Sequence, residues 1–193
     1  MTADSVRTVD RDIGQDDALD ALIRHAKAGE EWAFEALLDR LESRAILTAR
    51  SMGASREDAE DIAQEAFLKV FRYIGSYRSE RTFRAYFYRI VINASRDHLS
   101  RMRPTAQTSL ESISEPSSEG ETRSSYEEVE MLRRALQELP AREREVVILR
   151  DLQGLSTWDV ARILRISPIT VRRHSSRALA HLKKLMGPGG LLG

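Results

Sequence analysis

The 193-residue chain contains no cysteine, so neither a disulfide nor a thiolate metal site is open to it. No apolar run approaches the ~20 residues needed to cross a bilayer. The first residues, Met1-Thr-Ala-Asp-Ser-Val-Arg7, lack the apolar centre of a signal sequence. A cytosolic setting fits both absences. His25, His98, His174 and His181 are too scattered to nominate as ligands, and there is no Gly-rich phosphate loop or convincing nucleophile. The expected catalytic residues, metals and cofactors are therefore none, and an enzyme is disfavoured. Strands are hard to find. The five prolines and ten glycines fall mostly between helically periodic segments, which predicts an all-α protein.

Net charge is also missing, but only in the sum. Residues 104–130 hold one base and seven acids, whereas residues 131–186 hold twelve bases and five acids. Residues 1–18 are acidic and residues 19–103 slightly basic. Two basic modules are thus separated by an acidic connector.

Within the second basic module, two short helices are predicted around a tight turn. Ser156 and Asp159 make a capping box, and Leu155 can staple to Val160. Ser167 caps the next helix, Pro168 occupies its first position, and Ile166 can staple to Val171. Only Leu164-Arg-Ile166 lies between them, which is the sequence form of a helix-turn-helix. From Arg165 to Met186 there are six Arg and Lys and no Asp or Glu. Val171, Ala178, Leu182 and Leu185 form an apolar stripe. Arg172, Arg173, Ser176 and Arg177 then project from the other faces, where a recognition helix meets base edges. A charge run alone is more often a solvated face; two capped helices with no acid in the second favour DNA binding.

Upstream, residues 1–17 have no hydrophobic period and read as a mobile leader. Helical patterns run from Ala18 to about Gly29, and from Trp32 to about Gly53, with the aromatics most simply core. Ser55 caps a third helix whose apolar face carries Ala59, Ile62, Ala63, Ala66, Phe67, Val70 and Phe71. Its first half is acidic: Glu57, Asp58, Glu60, Asp61 and Glu65, with Gln64. Acids in a first turn suit the helix dipole, but these continue past it and could dock a basic partner helix. A polar loop, Gly75–Arg81, leads to a fourth helix over about 82–102. Between Ser76 and Arg103, seven arginines are interleaved with aromatics. That pattern suits unstacked bases and strand phosphates, or equally buried rings beneath solvated arginines.

Pro104 to Ser125 is rich in Ser, Thr and Glu without an apolar period, and reads as a flexible acidic linker dividing two small helical domains. Residues 18–103 make the first and 126–186 the second, with 187–193 a tail. Helices through Val129–Leu139 and Val146–Leu149 supply the core that the helix-turn-helix cannot build alone.

This arrangement resembles a bacterial sigma factor of the extracytoplasmic-function group, over about Leu19 to Leu185. Asp58-Ala-Glu-Asp-Ile-Ala-Gln-Glu-Ala-Phe-Leu68 is similar to the family's helix that grips the RNA polymerase clamp. Phe83-Arg-Ala-Tyr-Phe-Tyr-Arg-Ile-Val-Ile-Asn93 matches its −10 helix, and Leu139-Pro, Arg144–Arg150, Gly154-Leu-Ser156 and Thr170-Val-Arg172 match its −35 module. The resemblance implies a dissociable promoter-specificity subunit, not an enzyme, that recognises two promoter elements and assists melting. Asp58, Asp61, Gln64 and Glu65 would bind polymerase. Tyr77, Arg78, Phe83, Tyr86, Arg89, Asn93 and Arg96 would contact −10 DNA. Arg150, Arg172, Arg173, Ser176 and Arg177 would contact −35 DNA.

The partners implied are core polymerase, through its clamp coiled coil and flap, promoter DNA, and an anti-sigma factor that could hold a cytoplasmic monomer at the membrane. Five positions depart from the family pattern. Tyr86 stands in place of the usual Trp, Arg165 in place of a small turn residue, Pro168-Ile169 in place of a residue-Gly pair, and Ser175 in a normally apolar place. A freestanding dimeric helix-turn-helix regulator is the rival, but it needs neither the acidic nor the aromatic-Arg helix.

Overall fold

The computed structural model describes residues 18–78, 82–102 and 123–187, and these are helical, with no strand among them. The leader, most of the acidic linker, loop residues 79–81, and the end of the tail lie outside the described residues. Helix α1 covers 18–27, with Leu19, Ile23 and Ala26 buried. Helix α2 is Glu31–Met52 and stops where Gly53 takes φ +117°, returning its N–H to the carbonyls of Ala49 and Arg50. Helix α3, Arg56–Tyr73, starts on Ser55, whose Oγ accepts from the Asp58 N–H at 3.1 Å. A short 3₁₀ turn, Ile74–Ser76, leads toward α4, Phe83–Met102.

The second half begins with α5, Arg123–Gln137, so the helix starts inside the stretch expected to be linker. Pro140 precedes α6, Ala141–Val147, where a missing N–H costs nothing. Helix α6 widens into a π turn, Ile148–Leu152, before α7, Thr157–Leu164, and α8, Pro168–Met186.

The two halves share one apolar core. It runs from Leu19 and Leu37 through Phe67, Phe87 and Val91 to Ile148, Leu164 and Val171. A smaller cluster of Leu136, Leu139, Val147, Ala178 and Leu182 ties α5 to α8.

Polar groups seal the join. The last carbonyls of α2 have no partner within their own helix, and the second half supplies donors. Gln137 Nε2 donates to Ser51 O at 3.0 Å, and Arg144 donates to Met52 O at 3.0 Å. A Cβ at position 53 would stand 2.7 Å from Gln137 Oε1, so glycine there serves this approach as well as the positive φ. Gln153, 1% exposed, donates to Thr48 Oγ1 at 3.0 Å and accepts from the Tyr88 hydroxyl at 2.7 Å. Arg84 donates to the Gln153 carbonyl, and Arg96 to Glu145 Oε1 at 2.6 Å.

Three positions expected in the core are exposed instead. Phe71 is 61% exposed because α3 packs through Ala63, Ala66, Phe67 and Val70, leaving Phe71 edge-on to Phe34 at 4.9 Å. Trp32 lies on the surface, its indole N–H donating to Glu30 Oε2 at 2.7 Å. The buried stripe of α8 is Val171, Ser175, Ala178 and Leu182, at steps of four, three and four, and Leu185 is left exposed.

Candidate nucleic-acid and polymerase interfaces

The acidic face of α3 keeps Asp61 and Gln64 in solvent. They stand at i and i+3, and Leu68 and Phe71 continue the same stripe at i+7 and i+10. Leu68 is 65% exposed, so the strip is acidic at one end and apolar at the other. Asp58 and Glu65 are less free. The Ser55 hydroxyl donates to the Asp58 carboxylate at 2.7 Å and, together with nearby His98, holds that carboxyl below its ordinary range despite partial burial. His98 Nε2 stands 3.0 Å from Asp58 Oδ1. Glu65 pairs with Lys69 at 2.7 Å. Composition suggested the acids of this strip; only the packing shows that its lower half is apolar.

The aromatic cluster at the start of α4 is sorted by burial. Phe83 is 1% and Tyr77 7% exposed, so neither ring is open to receive a base, contrary to the expectation that both contact −10 DNA. Phe83 enters the core against Phe87, while Tyr77 lies under Tyr86 at 5.1 Å between ring centres. Burial pushes the Tyr77 phenol up to about 12, helped by the nearby Asp20 carboxylate. Lys27 fixes the loop by donating to Tyr77 O at 2.7 Å. Tyr86 is half-buried, with the Arg89 guanidinium 5.7 Å from its ring centre. Asn93 and Arg78 are exposed. Arg96 is engaged with Glu145 of the second half. The structure therefore leaves Tyr86, Arg89 and Asn93 along the outside of α4, with Tyr77 and Phe83 beneath as support.

In the second half, both predicted caps form. Asp159 N–H donates to Ser156 Oγ, and Thr170 N–H to Ser167 Oγ, each at 3.1 Å. The intervening turn depends on Arg165 in the left-handed region, φ +56° and ψ +46°, from which the next N–H, of Ile166, reaches Ala161 O at 3.0 Å. Arg172, Arg173, Ser176 and Arg177 are all exposed on α8. Arg150 is not. It is half-buried and donates to Ser175 Oγ at 2.6 Å, joining the π turn to the inner face of α8. That bond gives the buried Ser175 hydroxyl a partner on an otherwise apolar stripe. Arg150 thus holds α8 from behind and is not displayed beside its basic face. Sequence reasoning missed Gln153 and Glu145 as the polar keys of the join, since neither sits in a motif.

A capped helix-turn-helix with an exposed basic second helix shares one core with an acidic helix and an aromatic-Arg helix, the make-up of an all-helical nucleic-acid-binding protein. Residues 37–105 match the family model described as sigma-70 region 2, and residues 129–182 match sigma-70, region 4. The chain is 33% identical over 160 residues to the ECF RNA polymerase sigma factor SigM of Mycobacterium tuberculosis, covering 83% of this chain and 80% of that protein. It is 31% identical to the ECF RNA polymerase sigma-E factor of Haemophilus influenzae, covering 87% and 95%. Among solved structures it is similar to CnrH in complex with the cytosolic domain of CnrY, with a TM-score of 0.68 and 28% identity over 86% of this chain and 94% of that one. The fold also matches the sigma factor RpoE of Bartonella quintana, solved with the anti-sigma factor NepR, with a TM-score of 0.68 and 22% identity over 81% and 98%. The chain belongs to the extracytoplasmic-function sigma factors, promoter-recognition subunits of bacterial RNA polymerase.

Proposed function

We propose that the chain divides its work by face. The α3 strip of Asp61, Gln64, Leu68 and Phe71 grips core polymerase, with Asp58 and Glu65 setting its acidic edge. The outside of α4, with Tyr86, Arg89 and Asn93, takes the displaced −10 strand, and Arg172, Arg173, Ser176 and Arg177 read −35 duplex. The carrying observation is the capped, acid-free α8, whose basic face is exposed while Val171, Ala178 and Leu182 are buried in the core. Arginines on the outer face of a recognition helix suit guanine edges and phosphates in a major groove. Aromatics with Arg and Asn suit unstacked bases.

The compact arrangement has a mechanical consequence for this reading. A folded body of this length is roughly 40 Å across, whereas elements 25 base pairs apart are roughly 85 Å apart along the duplex. Engaging both requires the two halves to separate, and residues 103–122 extended reach at most ~70 Å between them. The shared core and its polar seal are then features of the protein off the promoter. An anti-sigma factor that binds the sigma factor in a compact state would hold the same restraint, in keeping with the likeness to CnrH, solved with a second protein bound.

The decisive experiment is transcription in vitro with core polymerase on a genomic library. Promoter-dependent initiation is expected; none at all sinks the reading. Reversing Asp61 and Glu65 should weaken polymerase binding, and replacing Arg172 and Arg173 should weaken promoter selection while leaving polymerase binding intact. Identical defects from both pairs would refute the separate faces.

A further inference from the structure

Ile169 is the most exposed large apolar side chain of the described residues, at 75%. It follows Pro168 in the first turn of α8 and shares one stripe with Arg172, Arg173 and Ser176, at i, i+3, i+4 and i+7. Those three are exposed and face the same way. A lone exposed isoleucine on a protein surface needs no explanation. This one stands at the helix start, the part of a recognition helix that comes nearest the base edges. The position is rigidly defined. Pro168 fixes the backbone, the Ser167 hydroxyl accepts from the Thr170 N–H, and Val171 is fully buried just behind. The side chain cannot swing into the core, because the inner face of this turn is already filled by Val171.

An isoleucine has no hydrogen bond to offer a base. The one apolar feature on a major-groove edge is the 5-methyl group of thymine. Resting on the assignment of α8 to the −35 duplex, we propose that Ile169 reads a thymine by packing on that methyl group, so that one −35 position is selected by an apolar contact beside the arginine-read positions. The neighbouring arginines contact guanines or phosphates and leave this selection untouched. Removing water from one methyl group against an aliphatic side chain is worth about fourfold in binding.

The test uses holoenzyme assembled from the full chain and core polymerase, and a promoter pool randomised across the −35 element. A second pool carries deoxyuridine in place of thymidine, which deletes only the methyl group. A third carries 5-methylcytosine in place of cytosine. The wild type should prefer T over C about fourfold at one position, lose that preference with deoxyuridine, and extend it to 5-methylcytosine. Ile169→Ala should show no such preference in any pool, Ile169→Val should retain part of it, and both should keep the selections made by Arg172 and Arg173. Preferences in Ile169→Ala that match the wild type at every position, or a wild-type T preference that survives deoxyuridine, would overturn the proposal. If the wild type selects nothing at −35 and Arg172→Ala changes nothing, the duplex assignment of α8 falls, and this inference falls with it.

Discussion

Single side chains in this protein carry two kinds of duty, and burial separates them. Ser55 is a cap whose hydroxyl both accepts from the Asp58 N–H and donates to its carboxylate. Ser55→Ala should cost about 1 kcal/mol of stability, measured by urea denaturation. Because the Asp58 pKa is lowered in the fold, with the Ser55 bond as the leading cause, that stabilisation is present above the ordinary aspartate pKa. It is lost as the pH falls through the lowered value. An NMR titration should show Asp58 moving back up in Ser55→Ala; an unmoved titration would refute the cause given. Arg150 illustrates the other duty. Its guanidinium bonds Ser175 on the inner face of α8, so Ser175→Ala should destabilise by about 1–3 kcal/mol. The arginines Arg172 and Arg173 are exposed, and substitutions there should leave thermal stability nearly unchanged.

At the scale of elements, the caps were legible because they are local. Ser55, Ser156 and Ser167 each sit three residues before the N–H they accept, a relation set by helix geometry alone. The turn between α7 and α8 was legible in length but not in strain. Arg165 holds a left-handed conformation that glycine adopts freely and a side chain does not. Arg165→Gly should raise stability by about 0.5–1 kcal/mol, the relieved backbone strain exceeding glycine's entropy cost. Equilibrium denaturation will check it, and a loss would show that the Arg165 side chain has a compensating role. Helix α3 shows the opposite limit. Its period placed Phe71 in the core, yet its exposure leaves Leu68 and Phe71 as an apolar extension of the acidic strip. Leu68→Ser should reduce affinity for core polymerase on the order of tenfold, while the melting temperature stays within the range of a surface substitution.

For the whole molecule, the governing fact is the seal between halves. Glu145 is buried and receives both Arg96 from α4 and Arg142 from its own helix. Arg144 donates to Met52, Gln137 and Leu139 carbonyls, and burial lowers its pKa against the pull of nearby Glu145. If opening precedes promoter binding, weakening a bond that crosses the join raises the open population and with it the apparent affinity. Glu145→Gln should therefore increase the radius of gyration in small-angle scattering and strengthen holoenzyme binding to promoter DNA several-fold. Arg142→Ala, which removes only the partner within the same half, should do neither. An unchanged radius in Glu145→Gln would show that the apolar core alone holds the halves together.

The sequence by itself determined the helices, their caps, the helix-turn-helix and the basic face of α8. These follow from periodicities and side-chain bonds spanning three or four residues. Tertiary structure alone decided that both halves share a core, that Tyr77 and Phe83 are buried beneath Tyr86, and that Arg150 faces inward. Those outcomes join residues far apart in the chain, such as Thr48 with Gln153 and Arg96 with Glu145. No local spacing encodes such a pairing. An aromatic or an arginine looks the same in sequence whether its outer neighbour is solvent, DNA or the other half of its own molecule.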